Sequence, residues 1–294
     1  MTDVRTRRAA TVRAAGEREF HFERRHFDHI AGLLRDLAGI HLASHKLEMV
    51  YARLSRRLRS LGLGDFDSYC AFLGTPEGEA EVGSLVNALT TNLTRFFREP
   101  HHFRHLAETA LPDARKRQHG RTRPRLRLWS AGCSSGEEPH SIAMTVLRTL
   151  PDADRWDARI LATDIDTHMV ETARHGLYEP DQAQTIPPDL CDRYTATVRQ
   201  GTRTKLSMGD ALRRMITIKP LNLLEEWPMR GPFDAIFCRN VLIYFDRDGR
   251  GMVIERFRHL LAPGGFLYLG HSESLYGVSD RFRQIGSTTY QVLS

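Results

Sequence analysis

Apolar residues recur at intervals of three and four between Phe20 and about Leu89, a spacing typical of amphipathic helices. A first helix on this pattern ends at Gly39, where glycine provides a C-cap. A second helix runs from about Ser44 to Leu61 and separates an apolar side from a basic side. The apolar side carries Leu47, Val50, Leu54 and Leu58, and the basic side carries Arg53, Arg56, Arg57 and Arg59. With two shorter helices at about 66–73 and 79–89, the segment 20–89 is predicted to form an all-helical domain.

From Leu126 the pattern changes to short apolar strands that alternate with helices. Strands are predicted at 125–130, 159–163, 215–218, 233–238, 266–270 and 288–292, and helices at 137–150, 167–175 and 249–261. Strands separated by helices predict a parallel, doubly wound α/β sheet. The last two strands have no obvious helix between them, which favours an antiparallel edge. Segments 194–198 and 204–208 flank Gln-Gly and predict a hairpin.

Changes in composition predict the domain boundaries. Residues 1–19 hold many Arg and Ala and few large apolar groups, so we expect a mobile basic tail. Residues 90–112 form a polar and aromatic linker, and linkers between domains often line a cleft. Residues 113–125 are predicted to be a basic loop at the start of an α/β domain that extends over 113–294.

The composition indicates a soluble cytoplasmic protein. Of the 294 residues, 41% are hydrophobic and 27% charged, which is ordinary for a globular chain. No run of 18 apolar residues occurs, so no membrane insertion is expected, and the Arg-rich N-terminus lacks the apolar segment of a secretory signal. The four cysteines are scattered without CxxC spacing, which favours a reducing compartment. The histidines match no metal-binding pattern, so no metal site is predicted.

The net charge of +6 lies entirely at the N-terminal end. Residues 1–60 carry 13 Lys/Arg and 7 Asp/Glu, whereas the rest of the chain carries 29 of each. A basic surface there could meet nucleic acid, anionic lipid or an acidic protein. A solvated helix face explains the same charge, and the charge alone leaves both interpretations open. The arginine side of the second helix has no interleaved aromatic residues, which argues against single-stranded nucleic acid.

A glycine-rich loop between the first strand and the following helix indicates a ligand site. The sequence Trp129-Ser-Ala-Gly-Cys-Ser-Ser-Gly-Glu-Glu-Pro139 matches neither GxGxxG nor a phosphate loop. Glu137 and Glu138 occupy the first helical turn, where a dinucleotide would place its phosphates. These carboxylates suit a cationic ligand without phosphate, such as S-adenosylmethionine. The alternative is that glutamate is favoured in any first helical turn by the helix dipole.

Two later strand ends carry further candidates. Asp164 ends the second strand, where an acidic residue can accept both ribose hydroxyls of an adenosine. Asp166 is the alternative carboxylate there, and it could instead cap the next helix with Thr167. An apolar strand delivers Arg239 and Asn240 to its carboxyl end, where open α/β sheets bind ligands. Polar groups at the end of a buried strand are costly without partners, which favours a site.

Taken together, six ordered motifs resemble the chemotaxis receptor methyltransferases, the CheR family, over nearly everything from about residue 26. The motifs are HKLEMVYARLSRRLR, ALTTNLTRFFRE, GCSSGEEP, ATDIDT, LNLLE and PFDAIFCRNVLIYF, with GHSES near the end. The resemblance implies a class I, Rossmann-like methyltransferase fold with a small antiparallel β-subdomain inserted around 177–215, behind an all-helical N-terminal domain. It also implies S-adenosylmethionine as cofactor, adenosylhomocysteine as product, and methylation of receptor glutamates.

The resemblance further implies the roles of individual residues. Implied cofactor contacts are Asn92, Thr94, Arg98, Glu138, Asp164, Asn222, Leu223, Arg239 and Asn240, with Glu137 as second choice to Glu138. Arg98 and Tyr244 match positions proposed to act on the substrate glutamate. Two positions depart from the family pattern, His140 where Tyr is frequent and Cys133 at a variable position, and neither is an implied contact.

The expected partner is the glutamate-rich methylation region of a chemoreceptor, bound through the Arg53, Arg56, Arg57 and Arg59 stripe. Forked guanidinium groups match carboxylates well. A receptor C-terminal tail is a further candidate partner, for the β-subdomain. Two rival functions stay open: a methyltransferase for RNA or a small molecule, and a non-catalytic module that senses adenosylmethionine.

Overall fold

The computed structural model describes residues 18–150 and 152–293, and the bounds that follow refer to this part of the chain. The helices are α1 (Arg24–Ala38), α2 (Leu47–Leu61), α3 (Phe66–Leu73), α4 (Glu79–Leu89), α5 (Pro100–His105), α6 (Leu111–Arg117), α7 (Glu137–Thr149), α8 (Thr167–His175), α9 (Pro188–Tyr194), α10 (Asp210–Arg213) and α11 (Arg247–Leu260). The strands are β1 (Arg125–Ala131), β2 (Asp157–Asp164), β3 (Leu177–Tyr178), β4 (Thr195–Gln200), β5 (Arg203–Met208), β6 (Ile216–Pro220), β7 (Phe233–Cys238), β8 (Leu261–Leu269), β9 (Phe282–Gly286) and β10 (Thr289–Val292).

Helices α1 to α4 form the predicted helical domain around a core of their own. Val50, Leu54 and Leu58 of α2 are fully buried, as their spacing indicates. Helix α1 ends where Gly39 adopts a left-handed conformation (φ 67°) and donates its N–H to Arg35, an αL C-cap. Leu37 follows the apolar spacing of α1 but is 43% exposed, because it lies at the edge of the apolar stripe near the helix end.

The rest of the chain forms the doubly wound α/β sheet that the alternating pattern predicts. Its strand order is β6-β2-β1-β7-β8-β10-β9. The first five strands of this order run parallel, and β10 pairs antiparallel with both β8 and β9. One core packs α5 to α7 on one face of the sheet, and a second packs α11 on the other. The carboxyl ends of β1, β2 and β7 therefore meet at one edge, where such folds bind ligands.

A separate three-stranded antiparallel sheet is inserted between α8 and β6. Its strand order is β3-β5-β4. Strands β4 and β5 pair in register from Thr195–Met208 to Gln200–Arg203, so the predicted hairpin is confirmed. This insertion is the β-subdomain expected around 177–215.

Three sequence-based expectations need correction or completion. Helix α6 reaches Arg117, so only residues 118–124 of the predicted basic loop 113–125 are non-helical. The linker predicted over 90–112 is helical from Pro100 onward. Phe103, Leu106 and Ala110 of the linker are buried at helical spacing, and a π-helical turn just before Pro112 accommodates the ring. Strand β9 was not predicted, because four of its five residues are exposed.

Residues 1–17 of the predicted tail lie outside the described residues, while its last two residues make contacts. Arg18 donates to the Phe22 carbonyl at 2.9 Å and pairs with Glu48, and Arg59 donates to Glu19 at 3.0 Å. Within the described segments, every helix is too short or too polar to cross a bilayer.

Candidate active site

A deep cleft separates the helical domain from the carboxyl ends of β1, β2 and β7. It holds about 1200 Å³, open solvent at its mouth included. The cleft brings together all ten residues that the sequence predicted for the cofactor and for catalysis: Asn92, Thr94, Arg98, Glu138, Asp164, Asn222, Leu223, Arg239, Asn240 and Tyr244. The helical domain closes one side of it with Ala38, Ile40 and Leu89.

The glycine-rich loop turns sharply between β1 and α7 and forms the floor of the cleft. Gly132 has a φ of 81°, and a Cβ there would lie 2.3 Å from Val241 Cγ2, so this turn requires glycine. The N–H groups of Gly132 and Cys133 both donate to the Thr163 carbonyl. These bonds tie the loop to the end of β2.

Asp164 is a buried carboxylate that faces the cleft and is held by two backbone donors. It accepts the N–H of Ser134 at 2.7 Å and that of Asp166 at 2.9 Å. Burial raises the pKa of Asp164 to about 6, although these backbone bonds oppose the shift. The carboxylate is thus fixed at the position where an adenosine ribose is bound in related folds.

Asp166 caps the helix that follows it, which is the structural alternative to ligand binding that the sequence left open. Its Oδ1 caps α8 by accepting the N–H of His168 at 2.9 Å. Its Oδ2 accepts Thr90 Oγ1 and Asn92 Nδ2, each at 2.7 Å. Asp166 therefore anchors the linker to the α/β domain.

Glu137 and Glu138 are both buried but face different environments. Glu137 accepts Ser135 Oγ at 2.6 Å and Gln182 Nε2 at 3.1 Å, which points it toward the β-subdomain. Glu138 lines the cleft and accepts Ser130 Oγ at 2.7 Å. The geometry thus favours Glu138, the first choice of the sequence analysis, over Glu137.

Arg239 lies between two carboxylates at the back of the cleft. Its Nη1 is 3.0 Å from Glu138 Oε2, and its Nη2 is 3.4 Å from Glu99 Oε2 and donates to the Arg98 carbonyl. The side chain is 2% exposed, and buried charges need such partners. Burial raises the pKa of Glu138, and the Arg239 guanidinium opposes that shift. Two carboxylates and one guanidinium leave this buried cluster with a net charge of about −1.

Asn240 has a left-handed conformation (φ 60°), and Glu273 maintains it. Glu273 accepts the N–H of Asn240 at 2.8 Å and that of Ile243 at 3.2 Å. The Oδ1 atom of Asn240 is buried, lacks a hydrogen-bond partner among the described residues, and belongs to a side chain that lines the cleft. An unpaired buried acceptor of this kind fits a ligand that brings its own donor, such as an amino group.

Residues 91–95 at the start of the linker line the cleft without forming a helix or a strand. Ser134 Oγ donates to the Asn92 carbonyl at 2.9 Å, and Arg98 Nη1 donates to the Leu93 carbonyl at 2.8 Å. Tyr244 is half-buried, and its hydroxyl donates to the Thr91 carbonyl at 3.4 Å. Arg98 and Tyr244 are therefore both fixed to the linker at the entrance.

The arginine stripe of α2 is less exposed than the sequence analysis expected. Arg53 donates to the carbonyls of Ala88 and Thr90 at 3.2 and 2.6 Å. Arg57 makes a two-pronged contact with the buried Glu81 at 2.9 and 2.6 Å. The stripe is therefore not uniformly exposed, because Arg57 pairs with a buried carboxylate and Arg53 donates to two part-buried carbonyls of its own domain. Arg56 and Arg59 are exposed.

Two carboxylates with roles in the site were not singled out by the sequence analysis, Glu99 and Glu273. Both lie in motifs that carry the family resemblance, but neither is the last residue of a strand, the signal that located Asp164. Glu99, His101 and His102 also bring one potential metal-ligand atom each within 4.8 Å of one another. The guanidinium of Arg239, 3.4 Å from Glu99, opposes a cation there.

Comparison with known proteins assigns both halves of the chain. Residues 25–90 match the model of the CheR methyltransferase all-alpha domain, and residues 92–291 match that of the CheR methyltransferase SAM binding domain. A chemotaxis protein methyltransferase of Escherichia coli is 44% identical over 267 residues, 90% of each chain. Chemotaxis protein methyltransferase 2 of Pseudomonas aeruginosa is 43% identical over 94% of this chain and 95% of its own. A probable chemotaxis protein methyltransferase of Rhizobium etli is 44% identical over 86% and 94%.

The fold and the matched domains define an S-adenosylmethionine-dependent methyltransferase with a helical domain at its N-terminus. The two matches are consecutive and together cover nearly the whole described chain. The chain belongs to the CheR family.

Proposed function

We propose that this enzyme transfers methyl groups from S-adenosylmethionine to glutamate side chains of bacterial chemoreceptors in the cytoplasm, forming glutamate methyl esters during chemotactic adaptation. The observation that carries the proposal is the single cleft that combines buried carboxylates on its floor with Arg98 and Tyr244 at its mouth. The first group suits a cationic cofactor, and the second suits an anionic substrate. Relatives named chemotaxis protein methyltransferase support the substrate class.

The residues of the cleft fit the cofactor. Asp164 would hold the ribose, and Glu138 and Asn240 would meet the amino group of the methionine part, because one is a buried carboxylate and the other has a free buried acceptor. Asn92, Thr94, Leu223 and Arg239 complete the predicted pocket. Asn222 contributes differently, since its Nδ2 donates to the Leu37 carbonyl at 2.8 Å. It therefore joins the pocket to the helical domain.

Methyl transfer to a carboxylate requires little of the protein beyond alignment of the reacting groups. The bound cofactor supplies an electrophilic methyl group on a sulfonium. A glutamate carboxylate is already ionised at neutral pH, so no general base is needed. Arg98 uses one Nη to hold the Leu93 carbonyl, which leaves donors to orient the incoming carboxylate. Alignment of this kind can lower a barrier by ~7–11 kcal/mol.

We propose that two surfaces recognise the receptor. Arg56 and Arg59 are exposed on α2, Arg59 beside its partner Glu19, and would meet the acidic methylation region. Arg53 and Arg57 would support them from within the domain. Strand β4 forms one edge of the β-subdomain sheet and pairs only with β5 among the described strands. An exposed edge can accept an extended peptide as an added strand, so β4 is the proposed site for a receptor C-terminal tail.

The proposed function includes the domain organisation that the sequence predicts. The boundaries are 1–19 for the basic tail, 20–89 for the helical domain, 90–112 for the linker and 113–294 for the methyltransferase domain. The linker 90–112 is defined by its place at the cleft and not by its packing, because its helical part from Pro100 onward packs with the α/β core.

A labelling experiment tests the function against its rivals. The enzyme is incubated with radiolabelled S-adenosylmethionine and either a receptor signalling fragment or RNA, with an Arg98→Ala variant as the control for chemistry. Base-labile label on receptor glutamates, located by mass spectrometry, supports the proposal. Label in RNA supports the rival enzyme, and cofactor binding without transfer to any acceptor supports the sensing module.

A further inference from the structure

Side-chain exposure alternates along residues 91–95 of the linker, all of which line the cleft. Residues 90–95 belong to no helix or strand. Asn92 and Thr94 are half-buried, and Phe96 is fully buried. Thr91, Leu93 and Arg95 alternate with them and are exposed. We call Thr91, Leu93 and Arg95 the outer linker face.

Leu93 stands out on this face. Its side chain is 80% exposed, although it lines the mouth of the same cleft as Arg98 and Tyr244. A single exposed leucine needs no explanation on a mobile loop. This leucine is instead on a segment that is fixed at several points, and its own carbonyl accepts Arg98 Nη1 at 2.8 Å.

The linker is held in place around Leu93, so the exposure of this side chain is a fixed property of the fold. Thr90 and Asn92 are both held by Asp166 at 2.7 Å. The Phe97 N–H donates to Ser141 Oγ at 3.0 Å. The chain is therefore held on both sides of Leu93, and its exposed side chain is presented at the mouth of the cleft.

The charge around Leu93 indicates what kind of molecule approaches. Arg95 and Arg98 follow it in the sequence and line the same cleft, and neither has an ion-pair partner among residues 18–150 and 152–293. The carboxylates of the cleft, Glu138 and Asp164, are buried and held by other donors. An apolar side chain near two guanidinium groups that lack ion-pair partners matches a protein surface with an apolar residue among carboxylates.

We infer that the outer linker face is a docking strip for the substrate protein, with Leu93 packing against an apolar residue and Arg95 pairing with an acidic residue next to the glutamate that enters the cleft. This inference rests on the proposed function and extends it, because it assigns substrate contacts to the linker as well as to α2. Arg98 remains the residue that meets the target carboxylate itself. Leu93 and Arg95 act on substrate affinity alone.

The test compares steady-state kinetics of Leu93→Ala and Arg95→Ala with two matched controls. Ile285→Ala removes an exposed apolar side chain from β9, and Arg121→Ala removes an exposed arginine from the loop before β1. Each linker variant is expected to raise the KM for the receptor fragment about fivefold or more, as truncation of an interface anchor does. The kcat and the Kd for S-adenosylmethionine should change less than about twofold, and the controls should match wild type.

The outcomes separate this inference from the proposed function. If wild type labels no receptor glutamate, the proposed function fails and the inference with it. If wild type labels the receptor and both linker variants keep its KM, the inference alone is overturned. A loss of cofactor affinity in Leu93→Ala equal to its loss of kcat/KM would also overturn it, since Leu93 would then belong to the cofactor site. High salt should weaken the Arg95 effect and leave the Leu93 effect.

Discussion

Asp164 shows how burial and function oppose each other at a single residue. The carboxylate must be ionised to accept two hydroxyl donors, yet burial raises its pKa to about 6. The N–H groups of Ser134 and Asp166 partly offset that cost. A bound ribose would add two further donors to the charged form, so cofactor binding and ionisation should favour each other.

We therefore predict that cofactor affinity falls as the pH drops through about 6. Above that pH the carboxylate is charged and accepts both hydroxyls, and one unit below its pKa only about a tenth of it is charged. Calorimetry should show adenosylhomocysteine binding about tenfold weaker at pH 5 than at pH 7.5. Asp164→Asn should bind more weakly at both values and lose most of the pH dependence. A full pH dependence in that variant would assign the titration to another group, Glu138 first.

Glu99 offers a second prediction at the residue scale, because it sets the charge of the buried cluster. With Glu99 present, Arg239 is shared between two carboxylates, and the cluster carries a net charge of about −1. Glu99→Gln leaves one carboxylate and one guanidinium, which together are neutral. S-adenosylmethionine has one more positive charge than adenosylhomocysteine, so its binding should suffer more.

Calorimetry on Glu99→Gln should show the affinity for S-adenosylmethionine reduced about fivefold more than that for adenosylhomocysteine, as expected for one charge in a partly buried site. Glu77→Gln, an exposed glutamate in the helical domain, is the matched control. Equal losses for both ligands would mean that Glu99 acts only by holding Arg239 in place.

At the scale of elements, α2 shows what an amphipathic pattern can and cannot predict. The spacing of Val50, Leu54 and Leu58 correctly predicts the buried face, since helical periodicity depends on neighbours along the chain. It does not show that Arg57 meets Glu81, which is 24 residues away. Such partners depend on how α2 packs against α4.

The same limit applies to the sheet and to the site. Apolar runs locate β1, β2 and β7, because buried strands carry a strong local signal. Strand β9 is mostly exposed and lacks that signal. Asp164 could be found because it ends a strand. Glu99 could not, because its role depends on a left-handed backbone (φ 56°) and on Arg239, 140 positions later.

The two kinds of arginine on α2 predict two different phenotypes. Arg57→Ala leaves the buried Glu81 without its guanidinium, and only Tyr69 still donates to it, so the free energy of unfolding should fall by about 2–3 kcal/mol. Arg56→Ala with Arg59→Ala should change unfolding by less than about 1 kcal/mol. The double variant should instead raise the receptor KM at low salt, an effect that weakens as salt rises. Denaturant unfolding and receptor kinetics on the same variants distinguish the stability effect of Arg57 from the receptor-binding effect of Arg56 and Arg59. A double variant with wild-type KM would mean that Arg56 and Arg59 only keep the helix soluble.

At the scale of the whole molecule, the cleft exists only because the two domains are docked. Asn222 reaches the Leu37 carbonyl, Asn87 Nδ2 donates to Thr167 Oγ1 at 2.9 Å, and the His41 N–H donates to the Tyr244 carbonyl at 2.8 Å. The last contact joins the segment after α1 to a predicted catalytic residue. The position of the helical domain should therefore influence both cofactor binding and the geometry at Tyr244.

Gly39 provides a way to disturb this docking with a matched control in the same domain. Gly39 and Gly62 both end helices in the left-handed conformation, with φ of 67° and 70°. A Cβ on Gly62 would meet nothing within 4 Å, whereas a Cβ on Gly39 would lie 2.3 Å from Leu224 Cδ1 and 2.9 Å from Phe245 Cδ1. Alanine at either position carries a backbone cost of about 1 kcal/mol. Only alanine at Gly39 also pushes against the methyltransferase domain.

We predict that Gly62→Ala lowers the free energy of unfolding by about 1 kcal/mol and leaves cofactor affinity unchanged, because its cost is confined to the backbone. Gly39→Ala should lose a further ~1–3 kcal/mol through overpacking and should bind S-adenosylmethionine more weakly, since Ala38 and Ile40 beside it line the cleft. Denaturant unfolding and calorimetry on the two variants measure both quantities. Identical behaviour of the two variants would show that the contact of Gly39 with Leu224 relaxes without cost, and that the cleft does not depend on close docking at this point. A selective loss in Gly39→Ala would show that the helical domain is part of the cofactor site.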